Sequence, residues 1–305
     1  MTQSYIPAPW RTQLDATLAK NIEKAPDPFM VSVLQMSTVT TDGRPANRTI
    51  GHFGYVGEKP VHATLPAYIE AQADTDPDEK TAQIKSLAAL GKYRSDIFVL
   101  ETHMKTKKVA QIQENSAVEL CWYFPYTGEQ YRLRGNMHLL SSPSQAGSKE
   151  RHRILDEQLR PFCHPVDEDV SPIPFDWETL RLNRLFNEPI AFRSWYTWDY
   201  NGQRLETLSE AERARAVGQM LDCPYLGEIP TRSPEEGGGL DTQSKEFGQT
   251  QHALANFALG LLQVEEVEYF NNNPATFGRI VYVRQPKDQG NQPGHSEWAK
   301  QTMIP

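Results

Sequence analysis

Between Thr102 and Lys108 the chain reads THMKTKK, with a strand-like run, DIFVLE, before it and a helix-like run, VAQIQEN, after it. The join falls at a helix start, where the backbone carries positive partial charge and Asp or Glu is favoured. Lys105, Lys107 and Lys108 stand there instead. A bound anion resolves the conflict. Free backbone N–H groups and the helix dipole together make a phosphate site. Thr102 and Thr106 add hydroxyl donors, and Lys107 and Lys108 add charge. The competing reading is a solvated charged turn with Thr106 as an ordinary N-cap.

Arg48, in ANRTIGHF, is a second candidate for an anion. By strand alternation Arg48, Ile50 and His52 share one face. An arginine inside a strand is either exposed or bound to an anion, and both readings stand here. His52 and His103 are the residue type for acid–base work, although a satisfied or exposed histidine is the plainer reading. Cys163-His164 with His152 lacks the spacing of a metal site, so no metal is expected. Cys121, Cys163 and Cys223 are odd in number and far apart, with no CxxC pair and no disulfide framework. No residue is assigned a catalytic role from sequence.

Elements must position these groups. APWRTQLDATLAKNIEKAP reads as an amphipathic helix with Trp10, Leu14 and Leu18 at helical spacing, ended by Pro26 and Pro28. FMVSVLQMSTV reads as a strand, Asp42-Gly43 as a hairpin turn, and ANRTIGHFGYV as the return strand. Residues 57–95 break the strand rhythm and read as an insertion carrying a helix. In AVELCWYF, residues 117–124, Val118, Leu120, Trp122 and Phe124 alternate onto one face. PYTGEQ is a turn, and YRLRGNMHLL the next strand. The β-rich part thus runs from about 29 to 141, like an interrupted meander.

Further on, SPSQAGSKERHRILDEQLRPF predicts a helix capped by Ser144 or Ser148, and FDWETLRLNRLF predicts another. AFRSWYTWDYNG reads as a strand and turn. LSEAERARAVGQML is helical, with Ser209 and Glu212 placed as a capping box. TRSPEEGGGLDTQSKEFGQ is a polar, Gly-rich loop. NFALGLLQVEEVEYF and GRIVYVRQ are apolar strands, followed by the tail HSEWAKQTMIP. The C-terminal strands are expected to complete the same barrel, giving a single domain over 1–305 with a helical insertion at about 57–95 and a helical excursion at about 144–250.

The bulk numbers bound the function. The chain has 305 residues and a net charge of −8, with a pI of about 5.6. That excludes a general nucleic-acid binder, which needs a basic footprint, and makes the basic cluster at 105–108 more informative. No apolar run approaches the ~18 residues of a membrane span. The N-terminus lacks the apolar core of a secretory signal. A cytoplasmic protein with no membrane partner is the expectation.

Several segments, taken in order, resemble one family. DGRPANRTI and then THMKTKKVAQIQENSAVELCWYFPYTGEQYRLRG are similar to the FMN-binding split barrels of the pyridoxamine 5'-phosphate oxidase superfamily. The likeness is greatest to a branch with an N-terminal PWR and a CWYF…T.EQ.R..G signature. NFALGLLQVEEVEYF, GRIVYVRQ and the closing Trp298 and Pro305 fit that order. The resemblance implies a mainly β fold with flanking helices (α+β), a split β-barrel of the FMN-binding type, and FMN as cofactor. It implies that Arg48, with Thr49 and Ile50, grips the FMN phosphate strand-side, and that Thr102 contacts the cofactor. Thr106, Lys107 and Lys108 fall on the phosphate clamp, with Lys107 replacing an arginine and losing its bidentate fork. Gln130 and Arg279 match residues that reach the flavin across a homodimer interface.

The activity so implied is an FMN-dependent oxidoreductase taking hydride from a small molecule. The alternatives are a non-catalytic FMN sensor or carrier, or a barrel using heme or a deazaflavin. Departures from the family pattern argue against oxidation of pyridoxamine phosphate itself. Phe53 stands where a Lys or Arg is usual, and Ala275 and Phe277 stand at the nearest match to the substrate-binding Arg-x-His. Residues 57–95 are far longer than the hairpin expected there, long enough for a lid over the flavin.

Overall fold

The computed structural model describes residues 5–72, 75–166, 175–222, 226–285 and 298–304; Cys223 and Pro305 lie outside them. Helix α1, Pro9–Lys24, starts on a proline and buries Trp10 and Leu14 completely. A single turn, α2 (Pro28–Val31), follows, capped by the Asp27 side chain accepting from the Phe29 N–H. The strand expected from Phe29 therefore begins only at Val33: Pro28 after Asp27 starts a helical turn. Strands β1 (Val33–Val39) and β2 (Pro45–Gly51) form the expected hairpin about Gly43, whose φ of 77° suits glycine.

The insertion holds two helices, α3 (Leu65–Ala71) and α4 (Pro77–Leu87), then a short strand β3 (Tyr93–Arg94). Strand β4 (Phe98–His103), helix α5 (Lys107–Glu114), β5 (Ala117–Phe124) and β6 (Glu129–Ser141) follow as read from sequence. Val118, Leu120, Trp122 and Phe124 are all buried on one face of β5.

Helix α6 spans Ser148–Gln158. Neither Ser144 nor Ser148 caps it; left-handed Gly147 does, with φ 72°. β7 (His164–Pro165) pairs with β3. α7 covers Trp177–Asn187, capped by Asp176. The segment expected as strand and turn is instead α8 (Ile190–Ser194) and a 3-10 turn, Trp195–Thr197. Its aromatics pack on neighbours in a helical path, as Phe192 does on Phe29 and Trp195, so their strand propensity is overridden by packing. α9 (Glu210–Asp222) has the Ser209–Glu212 capping box. The polar loop ends early, at Ser244, because that hydroxyl caps α10 (Lys245–Asn256). β8 (Phe257–Asn271), β9 (Gly278–Arg284) and β10 (Trp298–Met303), a strand within the tail, complete the order.

One antiparallel eight-stranded sheet runs β10-β9-β8-β6-β5-β1-β2, and β4 also pairs with β8. β8 is long enough to hold β4 along Phe257–Leu262 and β9 along Glu266–Asn271. The sheet curls so that residues after β2 meet β4: Tyr55 bridges Phe98, and Val99 donates to the Gly54 carbonyl. β2 itself has no ladder with β4, and the barrel stays split there. Inside the barrel lie Trp10, Met36, Leu120, Trp122, Tyr131 and Val267. A second core joins the helices of the insertion and excursion to β8, through Tyr68, Leu90, Trp177, Phe186, Phe247 and Leu261. The C-terminal strands thus belong to the same sheet as β1 and β2. The insertion packs into this second core.

Candidate functional site

A cavity of about 380 Å³ occupies the split. Its walls are Thr49, Ile50 and Gly51 of β2, Glu101, Thr102 and His103 of β4, and Thr106 and Lys108 at the start of α5. Phe29, Phe53, Phe192, Trp195 and Tyr196 supply aromatic surface. No residue of 57–95 lines it, so the expected lid is absent from this wall; α2, α8 and the turn after α8 stand there instead.

The cations meet at one side of this cavity. Arg48 donates to the Met36 carbonyl at 3.2 Å, to Thr38 Oγ1 at 2.8 Å and to Gln111 Oε1 at 2.8 Å. All three acceptors are neutral. Arg48 stands beside the cavity and is not part of its lining, but it acts electrostatically on Lys108, which is. Burial, and then Arg48, push the Lys108 ammonium down to about 8. Two cations thus face each other with no carboxylate between them among the described residues.

The start of α5 completes the arrangement. Thr106 occupies the N-cap position, yet its hydroxyl makes no capping bond. It donates instead to the His103 carbonyl at 2.9 Å and meets Thr102 Oγ1 at 3.2 Å. Lys108 Nζ lies 3.3 Å from the same hydroxyl. The first-turn N–H groups are therefore left without a side-chain acceptor, in a place where two cations and two hydroxyls converge. That donor set fits a phosphate monoester. The reading of Thr106 as an ordinary cap does not survive.

Other expected site residues lie elsewhere. Lys107 is exposed and does not line the cavity. Lys105 binds the Asp199 carbonyl at 2.7 Å. Gln130 and Arg279 sit across the sheet: Tyr123 pairs with Gln130, Gln130 with Phe270, Phe270 with Arg279, and Arg279 with Met303. This row faces outward, with Tyr123 55% and Met303 40% exposed. Arg279 there forms an ion pair with Glu268 at 3.1 Å. Ala275 and Phe277 belong to the β8–β9 turn near the row, as Phe277 packs on Phe270; of the three departures only Phe53 touches the cavity.

Neither histidine offers the cavity a free base. His52 is buried among Tyr55, Phe98 and Trp122, and burial pushes it down to about 3. His103 is driven to about 4 by burial; its Nε2 meets the Trp198 carbonyl at 3.0 Å and its Nδ1 accepts from the Lys105 N–H. Both are neutral; His103, which lines the cavity, has both ring nitrogens engaged, whereas His52 lies outside the lining with its Nδ1 unpartnered. Sequence reasoning missed three charged residues here. Glu101 and Glu188 line the cavity, and Arg184 of α7 binds Glu101 at 3.2 Å. An acidic residue inside the apolar run DIFVLE was the available signal. Gln111, which accepts from both Arg48 and Thr38, carried no signal at all. Among the described residues no cluster of His, Cys, Asp or Glu is arranged to hold a metal, and no helix is long and apolar enough to cross a membrane.

Comparison with known proteins agrees with this architecture. Residues 7–141 match the family model described as pyridoxamine 5'-phosphate oxidase, FMN-binding domain. Pyridoxine/pyridoxamine 5'-phosphate oxidase 2 of Arabidopsis thaliana is 22% identical over 148 residues, 48% of this chain. That match spans about half, 54%, of the relative's length. The crystal structure of a pyridoxamine 5'-phosphate oxidase-related, FMN binding protein from Nostoc punctiforme superimposes over 99% of this chain and 100% of its own, with 21% identity and a TM-score of 0.53. The superfamily resemblance therefore holds for residues 7–141 in sequence and for the split-barrel fold along the chain.

Proposed function

We propose that the protein binds FMN in the split between β2 and β4 and uses it as an oxidoreductase on a small molecule. The carrying observation is the pair Arg48–Lys108, two cations without an anion beside the uncapped start of α5. In this reading Arg48, Lys108, Thr102 and Thr106 hold the phosphate. Thr49 and Ile50 on β2 bound the space for the ring. Lys107, being exposed, contributes charge at longer range. When bound, the flavin takes hydride from a substrate and passes the electrons on. The protein binds and orients both, and its aromatic wall excludes water.

The outward row through Gln130 and Arg279 suits a homodimer interface, which would carry both residues toward the partner's flavin. Phe53 in the cavity removes a cation that a phosphorylated substrate would need. The substrate of this reading is less anionic than pyridoxamine phosphate.

The test begins with the visible spectrum of the purified protein and mass analysis of any released cofactor. A colourless protein that takes up no added FMN refutes the proposal, and a released heme or deazaflavin replaces the cofactor. Lys108→Glu should weaken FMN by about 100-fold, the loss of a charge-assisted bond plus repulsion. It should leave folding intact, because the new carboxylate faces Arg48.

A further inference from the structure

Opposite in charge to the phosphate cradle, a second group of ionisable residues meets the same cavity. Glu101 projects from β4 with its side chain fully buried, and it lines the cavity. Its Oε1 accepts from Arg184 Nε at 3.2 Å, while no N–H or hydroxyl donor reaches its Oε2 and the Glu188 carboxyl lies within hydrogen-bonding reach. Glu188, just after α7, is 6% exposed and lines the cavity beside it. The two carboxyls act on one another directly. Arg184 turns its other end to the Phe53 carbonyl.

We propose that Glu101 and Glu188 form a carboxyl pair sharing one proton, and that this pair exchanges a proton with whatever occupies the cavity beside the flavin. The inference rests on the flavin reading above. Charge balance supports it. Two buried carboxyls meet one guanidinium, and adjacent like charges in a dry site do not both ionise. One added proton makes the group neutral.

The surrounding charges leave this count in place. Arg193 of α8 donates to the Glu188 carbonyl and lies 3.6 Å from Glu228, its own acidic partner. Lys59 and Arg193 also act on the Glu188 carboxyl, and burial outweighs them. The Tyr196 hydroxyl and the His52 imidazole, the other ionisable neighbours, are both neutral. In the same direction, burial raises both carboxyls, that of Glu101 well above the usual range. His103 is engaged at both ring nitrogens, His52 does not line the cavity and Lys108 is taken by the phosphate in the flavin reading, which leaves this pair as the acid–base group of the wall.

For a substrate carrying H–C–O–H or H–C–N–H, the pair would serve as the proton acceptor. With FMN bound as the oxidant, the C–H hydrogen would leave with its electron pair to the flavin, and the open carboxylate would take the O–H or N–H proton. A C=O or C=N bond forms, and atoms and charge balance.

Infrared difference spectroscopy tests the pair in two stages. The first uses cofactor-free protein. Wild type should show a protonated-carboxyl C=O band of one group at neutral pH, and Glu188→Gln should abolish it, since Glu101 then ionises against Arg184. That variant keeps the Glu101–Arg184 ion pair, so it is expected to fold. No such band in wild type, or a band unchanged in both Glu188→Gln and Glu101→Gln, overturns the proposal. The second stage photoreduces the FMN-loaded protein. The negative charge gained by the reduced flavin should draw a solvent proton onto the open carboxylate and raise the band in wild type, with no such change in Glu188→Gln. A difference spectrum without carboxyl signal assigns the pair a structural role only and also overturns the proposal. Failure of FMN to bind is read separately, from absorbance, and counts against the flavin reading.

Discussion

At the scale of single residues, the site is organised by charges that lack their complement. Lys108 shows the consequence most directly. Its pKa falls from 10.5 to about 8 on folding, through burial and the nearby Arg48. A lysine whose pKa falls opposes folding wherever the unfolded chain is protonated. The penalty is full below about pH 8 and is released as pH rises from there towards 10.5. Lys108→Met should therefore stabilise the cofactor-free protein at neutral pH by about 1 kcal/mol, after allowance for partial solvation. That advantage should shrink in urea titrations as pH rises through the same window. Added FMN should reverse the order, stabilising wild type and not the variant. An advantage independent of pH would sink the electrostatic account. Gln111 belongs to the same scale: by accepting from Arg48 and from Thr38 it aims the guanidinium.

At the scale of elements, two junctions set the geometry. The first is the join of β4 to α5. The end of β4 brings Thr102 to the cavity, and the turn 103–106 diverts the Thr106 hydroxyl onto the His103 carbonyl, which leaves the helix start uncapped. The second is the β6–β8 ladder, whose register shifts between Arg134 and Gly135. A Cβ on Gly135 would sit 2.0 Å from the Gln263 carbonyl oxygen, a backbone atom unable to move aside cheaply. Gly135→Ala should cost about 2–3 kcal/mol, measured by chemical denaturation, and more than an alanine at Gly218, where a Cβ would meet nothing within 4 Å. An unchanged midpoint would show that the ladder accommodates the methyl group. The ladder also carries Gln130 at its far end, so strain there reaches the outward row.

Across the whole molecule, the first helix, α1, and the last strand, β10, meet. Trp10 and Trp298 pack edge to face with centroids 6.0 Å apart, and Arg11 ties α1 to Glu58, Tyr5 and the Ser95 carbonyl. This explains structurally why PWR and the closing tryptophan occur together in one chain. The outward sheet face alternates charge, with Arg134 between Glu119 and Glu266 and an exposed apolar end at Tyr123 and Met303. If that face joins two protomers, Arg279→Glu should place like charge beside Glu268 and raise the dimer dissociation constant by about 10-fold or more. Sedimentation at a series of concentrations measures this, and FMN affinity should fall in parallel with dimer loss. A variant that stays dimeric with unchanged FMN affinity would remove Arg279 from the interface.

Periodicity alone located α1, the β1–β2 hairpin, α5, β5, β6 and α7, because alternation and helical spacing act within a few residues and each segment's burial pattern agrees with its propensity. The lysines of THMKTKK announced themselves for the same local reason, as charge at a helix start. Local signals failed at AFRSWYTWDYNG, where aromatic residues that favour strands pack as helix and turn against Phe29 and Phe257. They also could not separate Lys108, which turns into the split, from Lys107, which does not. Nor could they join Glu101 to Arg184 and Glu188, more than eighty residues away. Those groupings exist only once β4, α5 and the end of α7 are packed around one split. Burial, which gives the charges their altered chemistry, is a property of that packing and of no single stretch of chain.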